Sequence, residues 1–224
     1  MTDYQSVLFD LDGTLADTAG DLGYALNCML ESRDLPPVGI DLIRPHASAG
    51  TRGLLALGFG IGTDHQDYDA LRREFLDIYE QNLDRSTILF PGVPDLLGAL
   101  ERAGLPWGIV TNKPHRFTLP VLRALRLTHR AACIVSGDTT PHPKPHPAPL
   151  LKAAADIGVS PEVCLYVGDD ERDIEAANAA GMDSIIALYG YLGNGKPPLA
   201  WGASGTIESP ADLVERIGLD ARPV

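Results

Sequence analysis

Six short apolar runs, at 7–11, 107–111, 133–136, 164–167, 184–188 and more weakly 205–207, recur along the chain at strand length. Stretches with helical spacing lie between them: Leu96, Leu97 and Leu100 follow Pro94, then come Leu119, Leu122 and Leu125, then Leu150, Leu151 and Ala154. This alternation leaves few foldable arrangements, because parallel strands need long crossovers and an amphipathic helix is the crossover that covers a sheet. The expected fold class is α/β, a doubly wound parallel sheet. In such a sheet ligands gather beyond the carboxyl ends of the strands. Residues just after each run are therefore the ones placed to carry chemistry.

One interval breaks the alternation. Residues 17–85 hold no convincing strand and read as helices, including 67–83 with Leu71, Phe75, Ile78 and Tyr79, while Pro36, Pro37 and the glycines at 58, 60 and 62 mark turns. A small helical domain inserted after the first strand accounts for this. The predicted organisation is a core of 1–16 and 86–224 with an insertion at 17–85, a size that suits a chain of 224 residues.

Charge limits the partners. With 18 basic and 30 acidic residues the formal charge is -12, which opposes attraction to nucleic acid or anionic lipid. Cys28, Cys133 and Cys164 are too few and too scattered for a disulfide framework or a C-x-x-C pair, which fits a reducing compartment. The first five residues lack a signal-peptide pattern, and no run approaches the roughly 18 apolar residues that span a bilayer. A soluble, cytoplasmic protein that binds a small molecule is expected.

The strongest chemical signal is Val7-Leu8-Phe9-Asp10-Leu11-Asp12-Gly13-Thr14-Leu15, a buried strand that ends on two carboxylates. A carboxylate at a sheet end is costly unless a metal or donors compensate it. Alternation points positions 10 and 12 broadly alike, so one carboxylate can attack while its neighbour handles protons, and Gly13 lets the chain turn closely over a bound phosphate. A second acidic group, Asp169, Asp170 and Asp173, follows the run at 164–167. Such a cluster can also be a capped helix N-terminus. Hard oxygen ligands beside a phosphate imply magnesium. Zinc is not suggested, since prolines between His142 and His146 forbid the helix that would bring both to one face, and Gly190-x4-Gly195-Lys196 fails as a P-loop because Pro197-Pro198 follows it.

The segment Asp10-x-Asp12-Gly13-Thr14 resembles the first motif of the haloacid dehalogenase superfamily, and the other motifs stand in that family's order. Thr111-Asn112 matches the second motif, Lys144 in a proline-rich approach the third, and Gly168-Asp169-x-x-x-Asp173 the fourth. The resemblance implies a magnesium-dependent phosphatase. Asp10 would be the nucleophile, Asp12 the acid and base, and Thr111 and Lys144 the groups that hold phosphoryl charge. It places Asp10, Asp12 and Asp169 at the metal, Asp170 and Asp173 in support, and Gly13, Thr14 and Asn112 at the substrate. The insertion stands where family members carry a small cap, and there Arg44 and Arg52 are candidates to bind a substrate carboxylate. Trp107-Gly-Ile-Val-Thr-Asn-Lys-Pro, Gly168-Asp-Asp-Glu-Arg-Asp-Ile and Trp201-Gly-Ala resemble phosphoglycolate and N-acetylmuramate 6-phosphate phosphatases, so either ester is an expected substrate. A phosphosugar mutase of the same superfamily and a non-catalytic phosphate or magnesium binder are the alternatives.

Overall fold

A computed structural model describes residues 4–219. The strands are β1 (Ser6–Phe9), β2 (Ala16–Asp17), β3 (Ile88–Leu89), β4 (Trp107–Val110), β5 (Cys133–Val135), β6 (Cys164–Gly168), β7 (Asp183–Ala187) and β8 (Gly205–Ile207). Six of them form one parallel sheet in the order β5-β4-β1-β6-β7-β8. Each of the six apolar runs becomes one of these strands. The first stops at Phe9, so Asp10 stands just past the strand end, its N–H donating to Val167 O at 2.9 Å.

Alternation along β1 divides the core. Val7 and Phe9 face one apolar cluster, with α5 (Val93–Arg102), α6 (His115–Ala124) and α9 (Pro210–Arg216), while Leu8 faces a second, with α7 (Ala148–Ile157) and α8 (Glu171–Ala180). Helices thus cover both faces, as buried parallel strands require. Strand order reverses about β1, where chain crossovers leave in opposite directions and a crevice opens above the sheet.

Between β2 and β3 lie α1 (Ala19–Glu31), α2 (Ile40–Ala47), α3 (Gly50–Phe59) and α4 (Tyr68–Glu80). β2 and β3 pair antiparallel, Ala16 with Leu89 and Asp17 with Ile88, so the chain enters and leaves the insertion side by side. Asp21 tightens this neck by accepting from Ser86 N and Oγ (2.8 and 2.6 Å) and from Thr87 N and Oγ1 (3.1 and 2.7 Å). Across the neck the Tyr191 hydroxyl accepts from the N–H groups of Thr18 and Ala19 at 2.7 and 2.9 Å, filling the role of a missing cap at the start of α1. Among the described residues no helix is long and apolar enough to cross a membrane.

Candidate active site

Asp10, Thr111 and Asp169 each follow a core strand at its carboxyl end, and Lys144 reaches the same point from the loop before α7. The Asn112 side chain fixes that loop by donating to Lys144 O and accepting from Lys144 N, both at 2.9 Å. Lys144 Nζ then donates to Val110 O and Tyr166 Oη at 2.8 Å and to Asp173 Oδ1 at 2.6 Å, and lies 3.0 Å from Asp10 Oδ1. Burial opposes its charge, but Asp10 and Asp173 outweigh burial and raise its pKa, so the ammonium persists.

Asp10 pays for this position. Burial first, with Asp173 and Asp12 adding to it and Lys144 opposing, pushes its carboxyl up to about 7. Its Oδ1 is buried and makes no hydrogen bond; the ion pair with Lys144 balances charge without hydrogen-bond geometry. Asp169 is buried as well, one oxygen accepting from Thr14 Oγ1 and the other from Tyr191 N, each at 2.8 Å. Burial, then Asp10 and Asp173, raises its pKa well above the ordinary value. Gly13, at φ +90°, and Gly190 press so closely on this carboxylate that a Cβ at either would overlap it.

Asp10, Asp169 and Asp173 each offer an oxygen, and these lie within 4.8 Å of one another. Three carboxylates, one with an orphaned oxygen, crowd against backbone that leaves them no room to part. That donor set fits a hard divalent cation such as magnesium. Asp173 is also bound by Lys144, receives Tyr166 Oη at 3.2 Å and accepts from Asp170 N at 3.1 Å, completing a capping box with Asp170 at the start of α8.

Four expected residues stand elsewhere or serve other groups. The Asp12 carboxylate, expected at the metal, is not part of the acidic cluster: it accepts from Lys113 Nζ at 2.9 and 3.1 Å and from Thr18 Oγ1 at 2.6 Å. Thr14 donates its hydroxyl to Asp169, and the Asn112 side chain bridges to the Lys144 backbone while Asn112 lines the central cavity. Arg44 is paired with Asp17 at 2.6 Å and does not line the central cavity. Arg52 does line it.

That cavity, of about 310 Å³, lies between the core groups Asp10, Asp12, Thr111 and Lys144 and the helices of the insertion. It also brings in Lys113, the partner of Asp12, and residues the sequence reading gave no role at the site: Arg72 and Tyr79 from α4, and Arg172 from α8. Arg172 grips Asp170 with Nε at 2.7 Å and a terminal nitrogen at 3.0 Å, and reaches Ser48 O across the gap at 2.5 Å. Ser48 Oγ returns a bond to Asp170 Oδ2 at 2.9 Å. Arg172 holds the Asp170 pKa below its ordinary value even though burial opposes this.

A doubly wound parallel sheet that gathers carboxylates and a buried lysine at its strand ends is the frame of an enzyme with a Rossmann-like core. A family model described as haloacid dehalogenase-like hydrolase matches residues 7–187, and the chain belongs to that family. A phosphoglycolate phosphatase of Xanthomonas campestris pv. campestris is 47% identical over 211 residues, covering 94% of this chain and 95% of its own. An N-acetylmuramic acid 6-phosphate phosphatase of Pseudomonas aeruginosa is 39% identical over 211 residues, covering 94% and 93%. Among solved structures, that of a predicted phosphoglycolate phosphatase from Haemophilus somnus 129PT superposes with a TM-score of 0.84 at 29% identity, covering 96% of this chain and 99% of that one. The chain is accordingly a phosphoric monoester hydrolase.

Proposed function

We propose that the chain is a magnesium-dependent phosphatase that hydrolyses a small carboxylate-bearing ester, 2-phosphoglycolate or N-acetylmuramate 6-phosphate, through a phosphorylated Asp10. The observation that carries this is Asp10 itself: a buried carboxylate just past a strand end, lining a cavity and 3.0 Å from a buried ammonium. One lysine serves two carboxylates while Asp169 crowds beside them, an excess of buried negative charge that a purely structural ion pair does not call for.

Asp10 attacks phosphorus in line, forming an aspartyl-phosphate as the bond to the leaving oxygen breaks. Asp12, aimed by Lys113 and Thr18, protonates the departing alkoxide and later takes a proton from the water that cleaves the intermediate. Thr111 and Lys144 offset the charge on the phosphoryl oxygens. Magnesium, held by Asp10 and Asp169 with Asp173 behind them, would neutralise charge on the phosphoryl group and orient it. Residues 17–85 act as the cap over this site, and 1–16 with 86–224 as the catalytic core.

Phosphate release from the two esters, measured with magnesium and with chelator, tests the reading. Hydrolysis of at least one ester that stops with chelator and returns with magnesium is expected. Asp12→Asn should lose roughly 10²- to 10⁴-fold in kcat. Turnover indifferent to chelator would overturn the metal assignment, and turnover indifferent to Asp12→Asn would assign the proton to another group.

A further inference from the structure

Two arginines, Arg52 and Arg72, stand on the cavity wall. On α4, Tyr68, Arg72, Leu76 and Tyr79 fall four, eight and eleven positions from the first, on a single face of the helix. Tyr68, Leu76 and Tyr79 are buried, while Arg72, exposed, stands on the same face at the edge of the cavity. On α3, Arg52 occupies the first turn, where the helix dipole disfavours a cation; that end carries no acidic residue and no side-chain cap. Both arginines line the same cavity. Neither has an ion pair among the described residues, and of the arginines without one these are the two that line the cavity.

Unpaired charges of one sign that converge on one cavity are suited to an anion that enters it. The phosphoryl group does not serve, since Lys144 and Thr111 receive it from the core side under the function proposed above. The uncapped N-terminus of α3, with Gly50 and Thr51 beside Arg52 on the cavity wall, offers N–H groups to the same anion. Tyr79, 2% exposed, also lines the cavity, with Lys113 Nζ 4.9 Å from its ring centroid. Leu22, Leu76 and Phe117 supply an apolar part of the same cavity wall. A volume of about 310 Å³ is near the lower bound of roughly 300–1,000 Å³ for pockets that take whole small-molecule ligands. A two-carbon acid would leave that wall without a partner.

We infer that Arg72, together with Arg52 and the first turn of α3, selects esters whose leaving alcohol carries a carboxylate across a ring-sized spacer. This deepens the phosphatase reading and rests on it. The favoured substrate is then a phosphorylated sugar acid rather than phosphoglycolate.

N-acetylmuramate 6-phosphate and N-acetylglucosamine 6-phosphate share the reacting phosphate and the sugar ring and differ by the lactyl carboxylate, so the ratio of their kcat/KM values isolates recognition of that group. The wild-type ratio should favour the muramate ester at least tenfold. Arg72→Ala should reduce the ratio by roughly ten- to a hundredfold, the share of a charge-assisted hydrogen bond, with Arg72→Lys in between because it keeps charge without the planar fork. Arg52→Ala should reduce it in the same direction. An unchanged ratio in both alanine variants, with kcat/KM falling equally for the two esters, would make the arginines structural and overturn the inference. Wild-type preference for phosphoglycolate over the muramate ester would overturn the ring-sized spacer. Those results leave the phosphatase intact, whereas a wild-type chain that hydrolyses neither these esters nor p-nitrophenyl phosphate overturns the phosphatase reading and the inference with it.

Discussion

An asparagine at position 10 keeps the shape of the side chain but can neither attack phosphorus nor carry the charge that burial disfavours. In the metal-free chain Asp10 holds a proton up to about pH 7, whereas the ordinary value for an unfolded carboxyl is 3.8. Between those values the folded state binds more protons than the unfolded one, so stability falls as pH rises through the window and is lowest above it. Asp169 is shifted in the same direction. Asp10→Asn is therefore expected to abolish turnover, to raise the thermal midpoint of the metal-free protein at pH 8, and to leave it near the parent's at pH 4. A midpoint below the parent's at pH 8 would show that the charge supports the fold. Magnesium competes with the same proton, so its stabilisation of the parent, read as the rise in midpoint, should be larger at pH 8 than at pH 5. Equal increments would place the ion away from Asp10.

At the scale of single elements, the first turn of α8 separates two kinds of acid. Asp169 precedes the helix and spends its oxygens on Thr14 and Tyr191, while Asp173 lies inside it and holds Lys144 and the Asp170 N–H. Asp169→Ala should raise the magnesium concentration for half-activity more than Asp173→Ala does. Asp173→Ala should instead lower kcat at saturating magnesium, as Lys144 loses its 2.6 Å partner, and weaken the helix start by about 1 kcal/mol. The reverse ranking in a magnesium titration would give Asp173 the direct metal role. These elements differ in how far the sequence discloses them. Strands buried on both faces are continuous apolar runs, so all six core strands and the residues at their ends are legible. β2 and β3, two residues each, are too short to show any period. On α4 the apolar spacing selects Leu71, Phe75, Ile78 and Tyr79 and passes over Arg72. The row through Tyr68 and Leu76 was the available signal, and it takes the cavity to show why a charge belongs there.

Across the whole molecule the missing information is pairing at long range. Lys113 meets Asp12 across 101 positions and Ser48 meets Asp170 across 122, and neither contact follows from the local pattern at either end. The second contact carries a consequence for motion. Residues 18–87 join the core through a neck of two short paired strands, and on the far side of the cavity Ser48 rests on the Asp170–Arg172 pair through its carbonyl and its hydroxyl. Tyr79 on Phe117 and Glu80 beside Arg116 hold the α4 part of this body to the core, so losing the Ser48 contact loosens the α2–α3 part. Arg172→Ala removes the bond to Ser48 O and the grip on Asp170, but leaves the sheet and both apolar clusters untouched. Native-state amide exchange should therefore quicken in α2 and α3, which flank Ser48, while β1 and β6 keep their protection. Because the cavity is walled on one side by those helices, kcat/KM should fall together with that protection, by roughly tenfold or more, through looser positioning of the ester. Uniform acceleration of exchange across the strands would mean that the pair stabilises the fold as a whole. Unchanged exchange in α2 and α3 with a full loss of activity would mean instead that Arg172 touches the substrate directly.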